Sequence, residues 1–232
     1  MVKPGTLHGV GVGPGDPELM TVKAWRLVST ARVIAYLAAN GGQSTARDIA
    51  RPFLPGDAEE LVVDMPMRVE REPGERAYDA GAAAIAVHLR AGRDVVMLCE
   101  GDPFFYGSFI HVFSRLAGEF AVTVVPGVTS IAAAAAVTGS PLASRNDVVK
   151  VLPATLAPSR LRAELEDCEC AAIIKVGRHF GRVREVLDGL ALSARAVAVV
   201  RATHGDQEIR PVGEIAGDSL PYFTTILVRP WP

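Results

Sequence analysis

The sequence has few cysteines, and their scarcity excludes a disulfide framework. Its 232 residues include three cysteines, Cys99, Cys168 and Cys170. Small secreted domains depend on several disulfides, whereas reduced thiols are typical of a cytoplasmic protein. A structural zinc site needs four ligands, and no second Cys or His pair follows Cys168 and Cys170 at a suitable spacing. We therefore expect a cytoplasmic protein without a structural metal.

The sequence also lacks long apolar runs and a strong net charge. No uncharged apolar stretch reaches the roughly 18 residues that suggest a membrane-spanning helix, and the first residues contain no apolar segment of the kind found in secretion signals. Lys and Arg number 24 against 26 Asp and Glu, so the formal net charge is −2. A general nucleic-acid-binding protein carries a basic excess. These absences argue against membrane insertion, secretion and nucleic-acid binding.

Apolar residues make up 49% of the chain, and they form short segments that alternate with helical patterns. Five such segments in residues 1–143 predict strands: Leu7–Val12, Val33–Tyr36, Leu61–Val63, Val95–Leu98 and Val122–Val125. The alternation predicts an α/β domain whose mainly parallel sheet is covered by helices on both faces. Asp16 followed by Pro17 predicts the start of its first helix.

Residues 144–232 show a different pattern of elements. Five more strands are predicted, over 148–152, 171–176, 196–201, 207–211 and 224–228, with only two clear helices, over about 159–166 and 180–190. The last strands are too close together for helical crossovers, so we expect antiparallel pairing. The sequence therefore predicts two α/β domains, 1–143 and 144–232, the second with a mixed sheet, and an active-site cleft between them.

Three loops that contain glycine follow strands of the predicted first domain. The first loop breaks the dinucleotide fingerprint G-x-G-x-x-G, because Pro14 stands where a third glycine is required after Gly9 and Gly11. In addition, no acidic residue ends the second strand. The second, EGDPFFYGS at 100–108, places three aromatic rings in a turn, and the third is PGVTS at 126–130. A standard NAD or ATP site is disfavoured. The pattern predicts a flat or apolar ligand held against backbone, with a hydrophobic turn as the alternative.

These loops, together with Lys175-Val176-Gly177, occur in the order found in the tetrapyrrole methylases, and essentially the whole chain resembles that family. The residues EGDPFFYGS and Tyr222-Phe223 are most similar to the branch that methylates C-20 of precorrin-2 in cobalamin biosynthesis. The resemblance implies a cytoplasmic homodimer that uses S-adenosylmethionine, releases S-adenosylhomocysteine and acts on a tetrapyrrole. Methylation of the cobalt-loaded substrate of the anaerobic route, or at another ring position, stays open.

The resemblance also implies a set of site residues. The donor would be held by Pro14, Glu100, Gly101, Asp102, Phe105, Thr129, Ser130, Val176 and Ala202. No catalytic residue is assigned, but Asp102 and Tyr106 are candidates. In sirohaem-forming relatives an acidic residue after the second strand has been proposed as a base, whereas this sequence reads Ala35-Tyr36-Leu37. That base therefore cannot be transferred to this chain.

A tetrapyrrole with several carboxylate arms requires cations gathered locally on a chain of net charge −2. The candidates on loops are Arg145, Arg178 and His179, with Arg68 or Arg71 as further possibilities. The plain alternative for each of them is a solvated surface residue. Two other functions stay open, a nucleotide-dependent oxidoreductase and a tetrapyrrole carrier that performs no chemistry.

Overall fold

The structure, a computed structural model, describes residues 2–39, 42–66 and 71–228, with Arg71 described by its backbone alone. Contacts divide the chain into two compact units, one ending at Thr129 and one beginning at Ser130. No helix in the described ranges is long and apolar enough to cross a membrane. Arg68 and the side chain of Arg71, both substrate candidates, lie outside the described residues.

The first unit is built on a parallel sheet of five strands. They are β1 (Thr6–Gly11), β2 (Val33–Ala39), β3 (Glu59–Met65), β4 (Val95–Cys99) and β5 (Ala121–Val125). Their order is β3-β2-β4-β1-β5, and each pair is parallel. The predicted parallel sheet is confirmed.

Helices cover both faces of this sheet: α1 (Val22–Ser29), α2 (Thr45–Ala50), α3 (Arg71–Arg90) and α4 (Phe109–Leu116). Successive residues of a strand point to opposite faces. Val95 and Met97 of β4 accordingly pack with residues of α3 and α4, whereas Val96 and Leu98 pack with residues of α1 and α2. This double cover explains why every residue of β4 is buried.

The first helix begins later than the Asp16-Pro17 pair predicts. Asp16 caps only a short 3-10 turn, Pro17–Leu19, with its carboxylate accepting from the Glu18 N–H at 2.8 Å. Met20 then returns to an extended backbone. The hydroxyl of Thr21 accepts from the Ala24 N–H at 3.1 Å and caps α1. A second capping residue downstream therefore sets the true helix start.

In its described residues, the second unit contains five strands and three α-helices. In chain order they are α5 (Ser130–Val137), β6 (Val149–Pro153), α6 (Pro158–Glu166), β7 (Cys170–Ile174), α7 (Phe180–Gly189), β8 (Ala196–Val200), β9 (Glu208–Pro211) and β10 (Thr224–Val228). The sheet order is β6-β7-β10-β8-β9. β6 and β7 are parallel, whereas β10 and β9 pair antiparallel to their neighbours, which confirms the predicted mixed sheet.

The alanine-rich helix α5 belongs to the second unit. Ile131 and Ala134 pack with Ala172 of β7 and Leu227 of β10 on one face of the second sheet, while α6 and α7 cover the other face. The contacts therefore group α5 with the strands that follow it, although it precedes the boundary predicted near Ala143. That boundary, as a division between domains that fold independently, stays a prediction.

Candidate functional site

The first sheet contains a topological switch point between β1 and β4. The connection from β1 leads to β2 on one side, and the connection from β4 leads to β5 on the other. Ligands of open α/β sheets bind outside the carboxyl ends of the strands at such points. The loops 12–16, 100–108 and 126–129 follow β1, β4 and β5, and we call them the three-loop cluster.

The three loops meet backbone to backbone around the carbonyl oxygen of Gly101. A Cβ atom on Gly127 would lie 2.0 Å from this oxygen, and one on Gly11 would lie 2.6 Å from it. The Gly101 N–H donates to the Gly13 carbonyl at 2.8 Å, and the Gly13 N–H donates back at 3.4 Å. Gly101 itself has a left-handed backbone, with φ of 60°. Side chains at Gly11 and Gly127 would separate the loops, so glycine is required at these two positions, whereas Gly101 is favoured by its left-handed backbone.

Asp102 ties two of these loops together. One carboxylate oxygen accepts from the Phe104 N–H at 2.9 Å, and the other accepts from the Gly127 N–H at 3.0 Å. Both oxygens therefore already have backbone donors. This arrangement favours a role in positioning the loops over the proton-transfer role for which Asp102 was a candidate.

The aromatic residues of the second loop divide into two groups. Phe104 packs against Phe113 of α4, with ring centroids 5.0 Å apart. Phe105 and Tyr106 form an edge-to-face pair at 5.3 Å, and their exposed fractions are 40% and 45%. Tyr106 has φ of 58°, which is uncommon for a residue with a large side chain and is often found at functional sites. Phe104 is also 47% exposed, so all three rings supply apolar surface in the loop that follows β4.

Six of the predicted donor residues lie in the three-loop cluster: Pro14, Glu100, Gly101, Asp102, Phe105 and Thr129. Glu100 is exposed to solvent at its surface. The protein atoms around its carboxyl group nevertheless raise the pKa of that group, and backbone hydrogen bonds, including one with Ala46, partly oppose this increase. Ser130 follows directly, at the start of α5, and its hydroxyl oxygen accepts from the Thr225 hydroxyl at 3.3 Å.

Tyr36 does not replace the acidic residue of the sirohaem-forming relatives as a base. Its hydroxyl donates to Glu60 at 2.5 Å, and the same carboxylate accepts two bonds from Arg47, at 2.6 and 2.8 Å. Burial and the bond to Glu60 raise the pKa of Tyr36, which keeps the hydroxyl protonated. Hydrogen bonding with Arg47 lowers the pKa of Glu60. This network therefore holds a carboxylate in its ionised, paired form.

In the second unit, three residues that follow strands have a left-handed backbone. Lys175 follows β7, and Arg201 and Thr203 follow β8, with φ of 57°, 49° and 68°. Tyr222 and Phe223 precede the antiparallel strand β10 and so reach the same edge, where the Arg201 N–H donates to the Phe223 carbonyl at 2.7 Å. Such strained residues cluster at ligand sites. We call residues 175–179, 201–203 and 222–223 the second-unit edge.

Two residues of this edge that were predicted to contact the donor have buried side chains. Val176 is fully buried in one core cluster and Ala202 is 6% exposed in the other. The Val176 carbonyl also accepts from the His179 N–H at 2.7 Å. These residues can therefore offer a ligand other backbone groups, but not apolar side-chain walls.

The predicted substrate residues lie on the surface of the second unit. Arg145 is exposed in a turn where the Asp147 N–H donates to the Ser144 carbonyl, with φ of 49°. Arg178 is exposed and His179 is half-buried in a 3-10 turn before α7. Among the described residues, neither Arg145 nor Arg178 forms an ion pair.

Arg182, which was not among the residues predicted for the site, contacts His179. Its Nη2 donates to the Ala154 carbonyl at 2.6 Å and lies 3.3 Å from His179 Nδ1. The spacing of three residues at the start of a predicted helix was the available signal, because such residues are neighbours on a helix surface.

The predicted active-site cleft stays a prediction.

Residues 6–216 match the model of a protein family, the Tetrapyrrole (Corrin/Porphyrin) Methylases. The chain belongs to the tetrapyrrole methylases. The resemblance noted in the glycine loops is thus confirmed at the level of the family.

Relatives with curated names agree with this assignment. The chain is 43% identical, over 97% of its length, to cobalamin biosynthesis protein CobIJ of Mycobacterium bovis, and it spans about half of that relative, 46%. It is 41% identical to precorrin-2 C(20)-methyltransferase of a Sinorhizobium species, with 98% of this chain and 96% of the relative covered. The chain is 31% identical to cobalt-precorrin-2 C(20)-methyltransferase of Salmonella typhimurium, with 97% of this chain and 96% of that relative covered.

A solved structure supports the fold. Uroporphyrin-III C-methyl transferase of Thermus thermophilus, in complex with S-adenosyl homocysteine, superimposes with a TM-score of 0.72 at 24% identity, covering 97% of this chain and 98% of that one. The predicted fold of two α/β units, one parallel and one mixed, is confirmed.

Proposed function

We propose that this chain transfers a methyl group from S-adenosylmethionine to the C-20 meso carbon of precorrin-2 and produces precorrin-3A. The observation that carries the proposal is the 41% identity to the Sinorhizobium precorrin-2 C(20)-methyltransferase across 96% of that protein. The three-loop cluster at the switch point supports a ligand held against backbone, as this donor requires.

The residues present fit the donor. Because Gly11, Gly101 and Gly127 bring backbone groups together without side chains, the donor can approach peptide groups closely, beside the apolar surface of Phe105. Hydroxyls of Thr129 and Ser130 at the start of α5 suit the amino-acid carboxylate, since the N-terminal end of a helix favours negative charge. Pro14, Glu100, Asp102 and backbone groups of Val176 and Ala202 complete the proposed donor set.

The reaction needs positioning more than chemical activation. The sulfonium already activates its methyl group, so the S–CH3 bond breaks as the C–C bond forms, sulfur keeps the electron pair, and the meso carbon afterwards releases its proton. Holding the two reactants in line can supply roughly 7 kcal/mol or more of the barrier reduction. The chain therefore needs no nucleophilic side chain, and Tyr106 remains only a candidate for proton transfer.

The proposed substrate contacts are Arg145, Arg178 and His179. Both arginines are exposed and have no ion-pair partner among the described residues, so carboxylate arms of a tetrapyrrole can supply one. Several such contacts are needed together, because each exposed pair contributes at most about 1 kcal/mol.

The test is an assay with methyl-labelled S-adenosylmethionine and precorrin-2, followed by mass spectrometry and assignment of the labelled carbon by NMR. We expect a single label at C-20. A thermal shift with S-adenosylhomocysteine but not with NAD is expected as well, because a ligand that binds only the folded chain stabilises it. Stabilisation by NAD alone would favour an oxidoreductase, and binding without label transfer would favour a carrier.

The second candidate is the same methylation on cobalt-precorrin-2. The 31% identity to the Salmonella typhimurium protein over 96% of its length favours it specifically. The cobalt would be held by the ring nitrogens of the substrate and needs no protein ligands. Parallel assays with both substrates decide between the candidates through the ratio of their kcat/KM values. The predicted homodimer and cytoplasmic location stay predictions.

A further inference from the structure

Arg178 and Arg182, like Arg145, differ from most arginines of the second unit in their lack of a carboxylate partner among the described residues. Five others there form ion pairs with a carboxylate: Arg160, Arg162, Arg184, Arg201 and Arg210. Neither Arg178 nor Arg182 has a carboxylate within ion-pair distance in the part of the chain that the structure describes. Both guanidinium charges act on His179, so an anion bound beside that ring would be attracted by both.

The contacts of Arg182 are made by neutral groups. Its Nη2 donates to the Ala154 carbonyl at 2.6 Å, and its Nε is buried without a hydrogen-bond partner among the described residues. A carbonyl oxygen satisfies one donor but leaves the charge of the guanidinium uncompensated. Because Ala154 follows β6 and His179 follows β7, the guanidinium lies where these parallel strands end.

The 3.3 Å contact between Arg182 Nη2 and His179 Nδ1 determines which nitrogen of the imidazole carries a proton. An arginine nitrogen can only donate, so Nδ1 must accept with its lone pair. In the neutral ring the proton then lies on Nε2. Burial, Arg182 and Arg178 all lower the pKa of His179, which is consistent with a neutral ring at neutral pH.

We propose that Arg182 is a positioning residue that fixes His179 as the Nε2–H tautomer, and that His179 Nε2–H and Arg178 together bind one carboxylate arm of the substrate. His179 is then a hydrogen-bond donor and not a general base. The identity of the anion as a tetrapyrrole carboxylate rests on the proposed function, whereas the tautomer depends only on the contact with Arg182.

The tautomer can be measured without any ligand. Long-range proton–nitrogen NMR spectra of the protein labelled with ¹⁵N-histidine, recorded at neutral pH, are expected to show a protonated Nε2 and an unprotonated Nδ1 for His179. Because a free neutral imidazole already favours Nε2–H, Arg182→Met should raise the minor Nδ1–H fraction of His179, whereas Arg160→Met, on the exposed surface of α6, should not. A His179 ring protonated on Nδ1 or on both nitrogens, or a preference unchanged in folded Arg182→Met, would overturn the positioning role.

The carboxylate contact is measured by binding of precorrin-2 in the absence of donor. We expect His179→Ala and Arg178→Met each to weaken binding about tenfold, the scale of one charge-assisted hydrogen bond. His179→Gln, whose amide can donate from about the position of Nε2, should restore most of the affinity. S-adenosylhomocysteine affinity should stay unchanged in all variants. Unchanged precorrin-2 affinity in His179→Ala would refute the contact.

Different results would refute the proposed reaction and the carboxylate contact. If the wild-type protein binds precorrin-2 but places the methyl at another carbon, the proposed reaction is wrong while the contact is still measured by binding. If it does not bind precorrin-2, the proposed function and the carboxylate contact are both refuted. The NMR result still decides the tautomer in that case.

Discussion

Asp102 joins two loops of the first unit through one carboxylate, and this gives a test of its role. Asparagine has a single acceptor oxygen, so Asp102→Asn leaves either the Phe104 or the Gly127 N–H without its partner. We expect a loss of about 1–3 kcal/mol in the free energy of unfolding, measured in urea, with weaker donor binding.

Asp16→Asn is the matched control for this substitution, because Asp16 caps a short turn and asparagine caps equally well. Its free energy of unfolding should hardly change. If Asp102→Asn kept full stability and donor affinity but lost turnover, proton transfer would explain Asp102 better than loop positioning.

Gly127 and Gly101 allow a comparison between lack of space and backbone strain. A Cβ on Gly127 would collide with the Gly101 carbonyl at 2.0 Å, whereas a Cβ on Gly101 would have its nearest neighbour at 3.8 Å. Gly101→Ala then costs only the left-handed backbone, about 1–2 kcal/mol. We expect calorimetry to show a much larger loss of S-adenosylmethionine affinity for Gly127→Ala than for Gly101→Ala. Equal donor affinities in the two folded variants would exclude this loop contact from the donor site.

Among the elements, helix α5 packs one of its faces against the core of the second unit. Ala134 is fully buried against the second sheet, whereas Ala136 on the same helix is exposed. Ala134→Leu should overpack this core and lower the free energy of unfolding by about 1–3 kcal/mol. Ala136→Leu, the control, should leave the urea midpoint nearly unchanged. Similar midpoints for both variants would contradict the assigned face.

Glu60 links β3 to β2 and α2, and the link should depend on pH. Because hydrogen bonding with Arg47 lowers the pKa of folded Glu60 below its ordinary value of 4.5, its stabilisation is present above that value. The stabilisation is lost as the pH falls through the folded pKa. We expect Glu60→Gln to be less stable than the wild type at pH 7, with a difference that shrinks below about pH 4.5.

The control for Glu60 is Glu119→Gln, which removes an exposed ion pair with Arg90 and should change stability little at any pH. Urea unfolding measured from pH 3 to pH 7 gives both curves. A constant difference between Glu60→Gln and the wild type across that range would mean that the charge of Glu60 is not what links these elements.

The sheets could be predicted from the sequence because their signals are local. Apolar runs bounded by glycine and proline predict the strands, and the close spacing of the last strands predicts their antiparallel pairing. The start of α1 was harder to predict, because Asp16 and Thr21 are both capping residues. The sequence does not show that the backbone becomes extended at Met20, which ends the first turn before α1 begins. The grouping of α5 depends on contacts with distant strands, which no local pattern reveals.

The candidate site was predictable only in part for a similar reason. The glycine loops carry their own signal, but the bond between Asp102 and Gly127 joins residues far apart in the sequence. Sequence likewise cannot reveal that Val176 points into the core, or that Arg182 contacts His179 and Ala154. Such contacts exist only after the strands that carry them have been placed side by side.

At the scale of the whole molecule, we propose that the chain carries out one reaction, methylation of C-20 of precorrin-2. The most direct measurement incubates the protein with precorrin-2 and methyl-¹³C-labelled S-adenosylmethionine, and then locates the label in the product by mass spectrometry and NMR. We predict one added methyl group, on C-20, with S-adenosylhomocysteine released in equal amount. A product labelled at another carbon, or unlabelled precorrin-2 recovered beside unused donor, would contradict the claim.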